Sequence, residues 1–198
     1  MTDLTRPAAL TCENIIIVDA DFADRVAFDL IVNFERMIGR PIPPADLAHW
    51  IDCVALDGGV REGNGQTQVA LIHDKRNVRM DNFTPSVYTD IDGKAFKDHL
   101  GEFVINTYTN EDIVGKEDLF IDMLQLCCAA KDVKRVMVIP DDSYYDTIRH
   151  TMSRVDDDHQ RVTVFAMQPM PGGNFRQEIL GYSLMSALGI KAEELSTR

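Results

Sequence analysis

The stretch Ile15-Ile16-Ile17-Val18-Asp19-Ala20-Asp21 decides the fold, because an unbroken apolar run that ends in two carboxylates reads as a buried strand of a parallel sheet opening onto a polar crevice. The pattern returns downstream, where Val136-Met137-Val138-Ile139 leads through Pro140 into Asp141-Asp142. In an open parallel α/β sheet the carboxyl ends of the strands line one crevice, and ligands bind there. Carboxylates gathered in such a crevice repel one another unless a cation or a substrate holds them. The two acidic strand ends therefore point to a divalent metal.

Working outward from the first strand, Val26, Leu30, Ile31, Phe34, Met37 and Ile38 recur at helical spacing until Gly39 and Pro41 end the segment. Leu47, Trp50, Ile51 and Val54 predict a second helix that starts behind Pro43-Pro44 and stops at Gly58-Gly59. After a loop at Arg61 to Gly65, Val69-Ala70-Leu71-Ile72 is the next strand, and Phe103-Val104-Ile105 the one after it. A brief helical stretch around Phe96 and Leu100 is expected between them. Leu119, Phe120, Met123, Leu124 and Cys127 make an amphipathic helix before the strand at 135–139. Tyr145, Ile148 and Met152 mark another helix, Val162 to Met167 a fifth strand, and Ile179 to Leu188 the last helix.

Strands and helices that alternate in this way imply right-handed βαβ units. The expected architecture is an α/β, three-layer Rossmann-like fold with a mostly parallel sheet of about five strands. Residues 1–198 read as a single domain, with elaborations at 40–66 and 73–92. The second of these reads either as a hairpin, with Val78, Met80 and Val87 packed on the sheet edge, or as a flap over the site.

The composition limits what such a site acts on. Of 198 residues, 32 are acidic and 20 basic, a net charge of −12, which disfavours a broad electrostatic footprint on nucleic acid. Any nuclease activity then needs a local basic patch. Lys75, Arg76 and Arg79 are the compact basic cluster ahead of the third core strand, and Lys116 is a further basic candidate. No apolar run reaches the roughly 20 residues of a membrane-spanning helix, and the N-terminus lacks the ordered basic and apolar regions of a signal peptide. The expectation is a cytoplasmic protein with no membrane partner. Cys12, Cys53, Cys127 and Cys128 have no zinc spacing and read as reduced, packed thiols, with adjacent Cys127 and Cys128 on different sides of their helix.

Several acids have a functional and a structural reading side by side. Asp19 is the sharper candidate of its pair, whereas Asp21 or Asp24 also suits a helix cap. Asp118 and Asp122 share a helical face and could approach a cation together, while Glu117 and Asp118 also complement a helix N-terminus. At the second acidic strand end, Asp142 or Ser143 suits the cap and Asp141 the crevice. Asp156-Asp157-Asp158 reads as a solvated turn. His49 and His73 lack partners at motif spacing, and Gly172-Gly173-Asn174 reads as a connection before the last helix.

With Ile15 to Asp21, Gly115 to Leu126, and Val136 to Tyr144 in place, the chain resembles the PIN-like superfamily, and its NYN branch in particular. The order of elements matches over most of the chain, although the motifs cover about a fifth of it. The resemblance implies RNA hydrolysis at an acidic Mg²⁺ or Mn²⁺ site. It makes Asp19, Asp118 and Asp141 the catalytic metal ligands, with Asp21, Asp122 and Asp142 as auxiliary acids. The family's Gly-Asp-Ser-Asp-Phe turn is here Pro140-Asp141-Asp142-Ser143-Tyr144, without the glycine and with the second acid shifted. On this reading Lys75, Arg76 and Arg79 contact the RNA backbone.

Two other classes fit the same residues. A HAD-type phosphohydrolase would use Asp19, Asp21, Lys116 and Asp141 in that order, although Phe22-Ala23-Asp24 stands where its hydroxyl residue is expected. A non-catalytic interaction protein with a degenerate PIN-like fold would use an exposed edge or helix face for a partner such as a second copy. Convergence of Asp19, Asp118 and Asp141, free of permanent Lys or Arg partners, is what the hydrolase reading requires.

Overall fold

Asn14–Asp19 forms strand β1 at the centre of the sheet in the computed structural model, which describes residues 12–155 and 159–196; the acidic run 156–158 lies outside them. The chain then runs through α1 (Ala20–Ile38), β2 (Ala45–Asp46), α2 (Leu47–Asp57), β3 (Gln66–His73), β4 (Phe83–Thr84), α3 (Tyr88–Ile91), β5 (Ala95–Asp98) and β6 (Gly101–Thr109). It continues with α4 (Lys116–Ala129), β7 (Arg135–Ile139), a 3-10 turn (Asp142–Tyr144), α5 (Tyr145–Met152), β8 (Arg161–Ala166), β9 (Arg176–Ile179), α6 (Leu180–Ala187) and α7 (Ala192–Leu195).

Period-2 geometry splits each central strand between two cores. Ile16 and Val18 of β1, with Met137 and Ile139 of β7, pack with Ala23, Val26, Trp50 and Leu184 from α1, α2 and α6. Ile15 and Ile17, with Val136 and Val138, face Phe120, Leu124 and Ile148 from α4 and α5 on the other side. A sheet covered on both faces explains why its strands carry continuous apolar runs, and it gives the three α/β layers that the alternation predicts.

The sheet has seven strands in the order β5-β6-β3-β1-β7-β8-β9, not about five. All neighbours are parallel except β5 and β6. The two additional strands are short edges without an apolar run. In β5 the stretch expected to be helical around Phe96 alternates exposed and half-buried residues, and Phe96 stacks on Phe103 of β6 with centroids 4.8 Å apart. Strand β9, Arg-Gln-Glu-Ile, is polar, so Gly172-Gly173-Asn174 precedes a strand rather than the last helix.

The segments 40–66 and 73–92 meet each other. Strands β2 and β4 pair as a separate two-stranded sheet, and Phe83 packs its ring 5.1 Å from Trp50. Of the expected hairpin residues, Met80 is buried, Val78 is exposed, and an isolated antiparallel bridge joins Arg79 to Val87. All four cysteines are reduced thiols, and Cys127 and Cys128 are both buried in one core cluster instead of facing different sides. Among the described residues no helix is long and apolar enough to cross a membrane.

Candidate active-site crevice

Strands β1 and β7 lie side by side with Val18 opposite Ile139, so Asp19 and Asp141 emerge at the same end of the sheet. Asp19 is fully buried. It is also the N-cap of α1, which begins with no intervening loop, and its Oδ1 accepts the N–H of Phe22 at 3.0 Å. That same oxygen accepts a hydrogen bond from Lys116 Nζ at 2.9 Å. Oδ2 of Asp19 is buried and makes no hydrogen bond of ordinary geometry, although the Tyr144 hydroxyl stands close enough to the carboxylate to help lower its pKa.

Asp21 is half-buried and fully engaged. Its Oδ2 accepts from Lys116 Nζ and from the Asp74 N–H, both at 2.8 Å, and its Oδ1 accepts from Asn77 Nδ2 at 2.7 Å. Asp24 accepts from the Asn82 N–H at 2.8 Å, so it anchors the β4 segment, and Asp19 is the residue that caps α1. Asp141 takes the capping role expected of Asp142 or Ser143: its Oδ1 accepts from Ser143 N–H and Oγ at 2.9 and 2.8 Å. Its Oδ2 accepts from Arg25 at 2.9 Å.

Lys116 begins α4 and threads its ammonium between Asp19 and Asp21. One cation shared by two carboxylates sets the balance of the crevice. Burial raises the Asp19 pKa, and Lys116 and the Phe22 N–H offset this only in part. Burial works against the charged lysine, yet Asp19 and Asp21 together hold its pKa above the ordinary value. Burial would raise Asp141 too, but Ser143 and Arg25 outweigh it and lower its pKa. Burial and then Asp19 push the Tyr144 hydroxyl far up, so it stays protonated.

The remaining predicted acids stand outside this knot. Asp118 is exposed, and its Oδ2 lies over Gly115 at the start of its own helix, 3.2 Å from where a Cβ there would stand. Asp122 and Asp142 are also exposed, and Glu117 accepts from Thr147 Oγ1 at 2.9 Å. The predicted basic cluster is answered acid by acid: Lys75 pairs with Asp112, Arg76 with Asp74 at 2.9 Å, and Arg79 with Asp81 at 3.1 Å. His73 is buried and stacked on Tyr88 with centroids 3.6 Å apart, and His49 Nε2 lies 3.0 Å from Ser186 Oγ.

An all-carboxylate donor set with one buried oxygen that makes no hydrogen bond of ordinary geometry suits a hard divalent cation. The acids of the crevice are not gathered as a metal shell, however: Asp118 stands outside, and Lys116 and Arg25 pair with Asp19, Asp21 and Asp141, so the partner-free convergence that the hydrolase reading requires is absent in this resting arrangement. Among the described residues, the group of three whose ligand atoms lie within 4.8 Å of one another is Asp52, Asp98 and His99. Burial and the adjacent Asp98 push the Asp52 pKa up to about 6. Sequence reading missed this group because Asp52 belongs to α2 and Asp98 to the unrecognised strand β5.

A family model described as a family of unknown function (DUF6621) matches residues 9–195. No curated protein and no solved structure matches the chain.

Proposed function

The chain belongs to this family of unknown function, and we propose that its crevice is a latent divalent-metal site for RNA phosphodiester hydrolysis, with Lys116 standing in the cation's place. The observation that carries the reading is Asp19, a fully buried carboxylate at a central strand end with one oxygen that makes no hydrogen bond of ordinary geometry. Asp19, Asp21 and Asp141 would hold Mg²⁺ or Mn²⁺, a Lewis acid that activates water for attack on a phosphodiester. The chain's own groups do the rest. Lys116 keeps the acids together at rest and, once released from them, is a phosphate ligand at the mouth of the crevice. Tyr144 stays a neutral donor beside Asp19 because its pKa is far above the physiological range. A divalent ion attracts the paired carboxylates more strongly than an ammonium does, which favours the exchange.

A second reading is favoured by the same ion pairs. If Lys116 and Arg25 are permanent counter-ions, and Asp118 has left the site, the protein is a non-catalytic member that uses its surface to bind a partner. The HAD-type reading draws on the contact of Lys116 with both Asp19 and Asp21, although α1 starts directly after Asp19.

Calorimetry with Mn²⁺ on wild type, Asp19→Ala and Lys116→Met, paired with RNA and aryl-phosphate hydrolysis assays, separates the three. Metal uptake and RNA cleavage that both vanish in Asp19→Ala support the hydrolase. Absence of uptake in wild type and in Lys116→Met leaves the non-catalytic reading, and aryl-phosphate turnover without RNA cleavage leaves the phosphohydrolase.

A further inference from the structure

Positive charge is gathered at the end of the sheet opposite the acidic crevice. Arg135, Arg161 and Arg176 are the first residues of β7, β8 and β9. These strands are parallel neighbours, and Arg135 stands directly opposite Arg161 in register. Arg176 stands opposite Thr163, two residues along from Arg161, so at about 4.8 Å between strands and about 3.3 Å per residue the three guanidinium-bearing positions fall within about 12 Å of one another. With Lys134, Gln160 and Phe175 they line a cavity of about 590 Å³, a size that small ligands occupy.

Among the described residues this charge is largely unanswered. Lys134 pairs with Glu13, but among the described residues none of the three arginines has a carboxylate within ion-pair distance. Arg135 reaches the Asn14 amide oxygen at 3.3 Å, and Arg161 the Asp57 carbonyl at 3.4 Å. The Arg161 guanidinium lies against the backbone of Gly59, where an added Cβ would come within 2.8 Å of Cζ. Its Nε is buried without a hydrogen-bond partner. Burial, then Arg176, Arg61 and Arg135, lower the Arg161 pKa, and Glu178 offsets them only in part. A buried donor without an acceptor, set among cations in a chain of net charge −12, calls for an anion.

We infer that this cavity binds a phosphate-bearing ligand, with Arg135, Arg161 and Arg176 as its anion contacts. Guanidinium presents a planar fork of donors that matches phosphate oxygens in pairs. Phe175, half-buried with its ring beside Gly173 and edge-on to Tyr145, also lines the cavity and offers an apolar wall to a base, so the ligand class we test is a nucleotide phosphate, free or within an RNA strand. The site lies about 20 Å from Asp141 along β7, so it stands whether or not the crevice hydrolyses anything.

The test titrates the full chain, in chelator so that no cleavage intervenes, with ATP and with a single-stranded oligouridylate at several salt concentrations. Arg176→Glu is the main variant because Arg176 is exposed, Arg135→Gln reads the same site independently, and Arg36→Glu is a remote charge control on α1. Expected is binding of at least one probe by wild type, weakened about tenfold or more by Arg176→Glu and by Arg135→Gln, and unchanged by Arg36→Glu. Tighter binding of the oligomer with the steeper salt dependence assigns an RNA strand, and equal binding of ATP assigns a free nucleotide. The inference is overturned if wild type binds neither probe, or if Arg36→Glu weakens binding as much as Arg176→Glu.

Discussion

The ammonium of Lys116 lies 2.9 Å from Oδ1 of Asp19, tying the first residue of α4 to the last residue of β1. Removing one partner of a buried pair leaves an uncompensated charge, so Lys116→Met should cost about 3 kcal/mol at pH 8. The Asp19 pKa is already raised by burial and rises further without the lysine. A group whose folded pKa exceeds its unfolded value contributes stability that is full below the unfolded pKa and is lost as pH rises through the folded one. Lys116→Met should therefore approach wild-type stability near pH 4 and fall behind it above neutrality, and Asp19→Asn in that background should restore most of the loss. Urea unfolding across pH checks this; equal stability of Lys116→Met and wild type at pH 8 refutes it. On the latent-site reading the same variant binds Mn²⁺ about tenfold more tightly than wild type, because its place has been vacated.

The Arg25–Asp141 pair should behave differently. Its arginine side chain is 58% exposed, and exposed pairs are worth about 0–1 kcal/mol and are screened by salt. The Asp141 pKa is lowered, so the stability it contributes is present above the unfolded pKa and is lost as pH falls through the folded one. Arg25→Ala should thus cost less than about 1 kcal/mol at neutral pH, and less still in acid or at high salt. A loss as large as that of Lys116→Met would show the pair to be as sheltered as the lysine pair.

The parts of this molecule that were legible in the sequence are those where burial is continuous. Ile15 to Val18 and Val136 to Ile139 lie in the two-faced centre of the sheet, where a short β-branched apolar run is buried on both sides. Strands β5 and β9 were not legible, because an edge strand needs no apolar run and is specified by pairing with its neighbour. The crevice was half legible. Asp19, Asp21, Lys116 and Asp141 could be named from their positions after strands and before a helix, but their pairing depends on Lys116 reaching across 97 residues of sequence. The arginine cavity went unread for the same reason: its residues are isolated in sequence and meet only through strand order.

Gly101 joins β5 to β6 with φ of 119°, a backbone conformation that L side chains rarely adopt. A Cβ there would lie 2.1 Å from the carbonyl oxygen of Gly65, a backbone atom that cannot swing aside. Gly101→Ala should cost on the order of 2 kcal/mol or more, displacing the start of β3 from β6. Thermal unfolding of the variant checks it, and an unchanged midpoint rules out the close approach.

Asp52 offers a pH test independent of the crevice. Burial and the nearby Asp98 push its pKa up to about 6, so its contribution is full below the unfolded value and is lost as pH rises through about 6. Asp52→Asn should stabilise the protein at pH 8 by about 1 kcal/mol, a figure reduced for partial solvent screening, and should have little effect at pH 4. A variant that is less stable than wild type at pH 8 would mean that Asp52 is held by something other than Asp98 repulsion and burial.

Asp118 is the residue on which family resemblance and local geometry part company. As a metal ligand its loss should abolish uptake; as an exposed acid folded over Gly115 it complements the N-terminus of α4, a contribution of about 0.3–1 kcal/mol. The geometry leads us to expect that Asp118→Asn loses stability of that order and retains the Mn²⁺ affinity of wild type, whereas Asp141→Asn retains its fold and loses metal uptake. Comparing the two variants by calorimetry decides the matter, since each keeps the shape of the side chain and changes only its charge. Loss of uptake in Asp118→Asn alone would mean that α4 turns its first acids inward when the cation arrives, and that Lys116 and Asp118 exchange places at the mouth of the crevice.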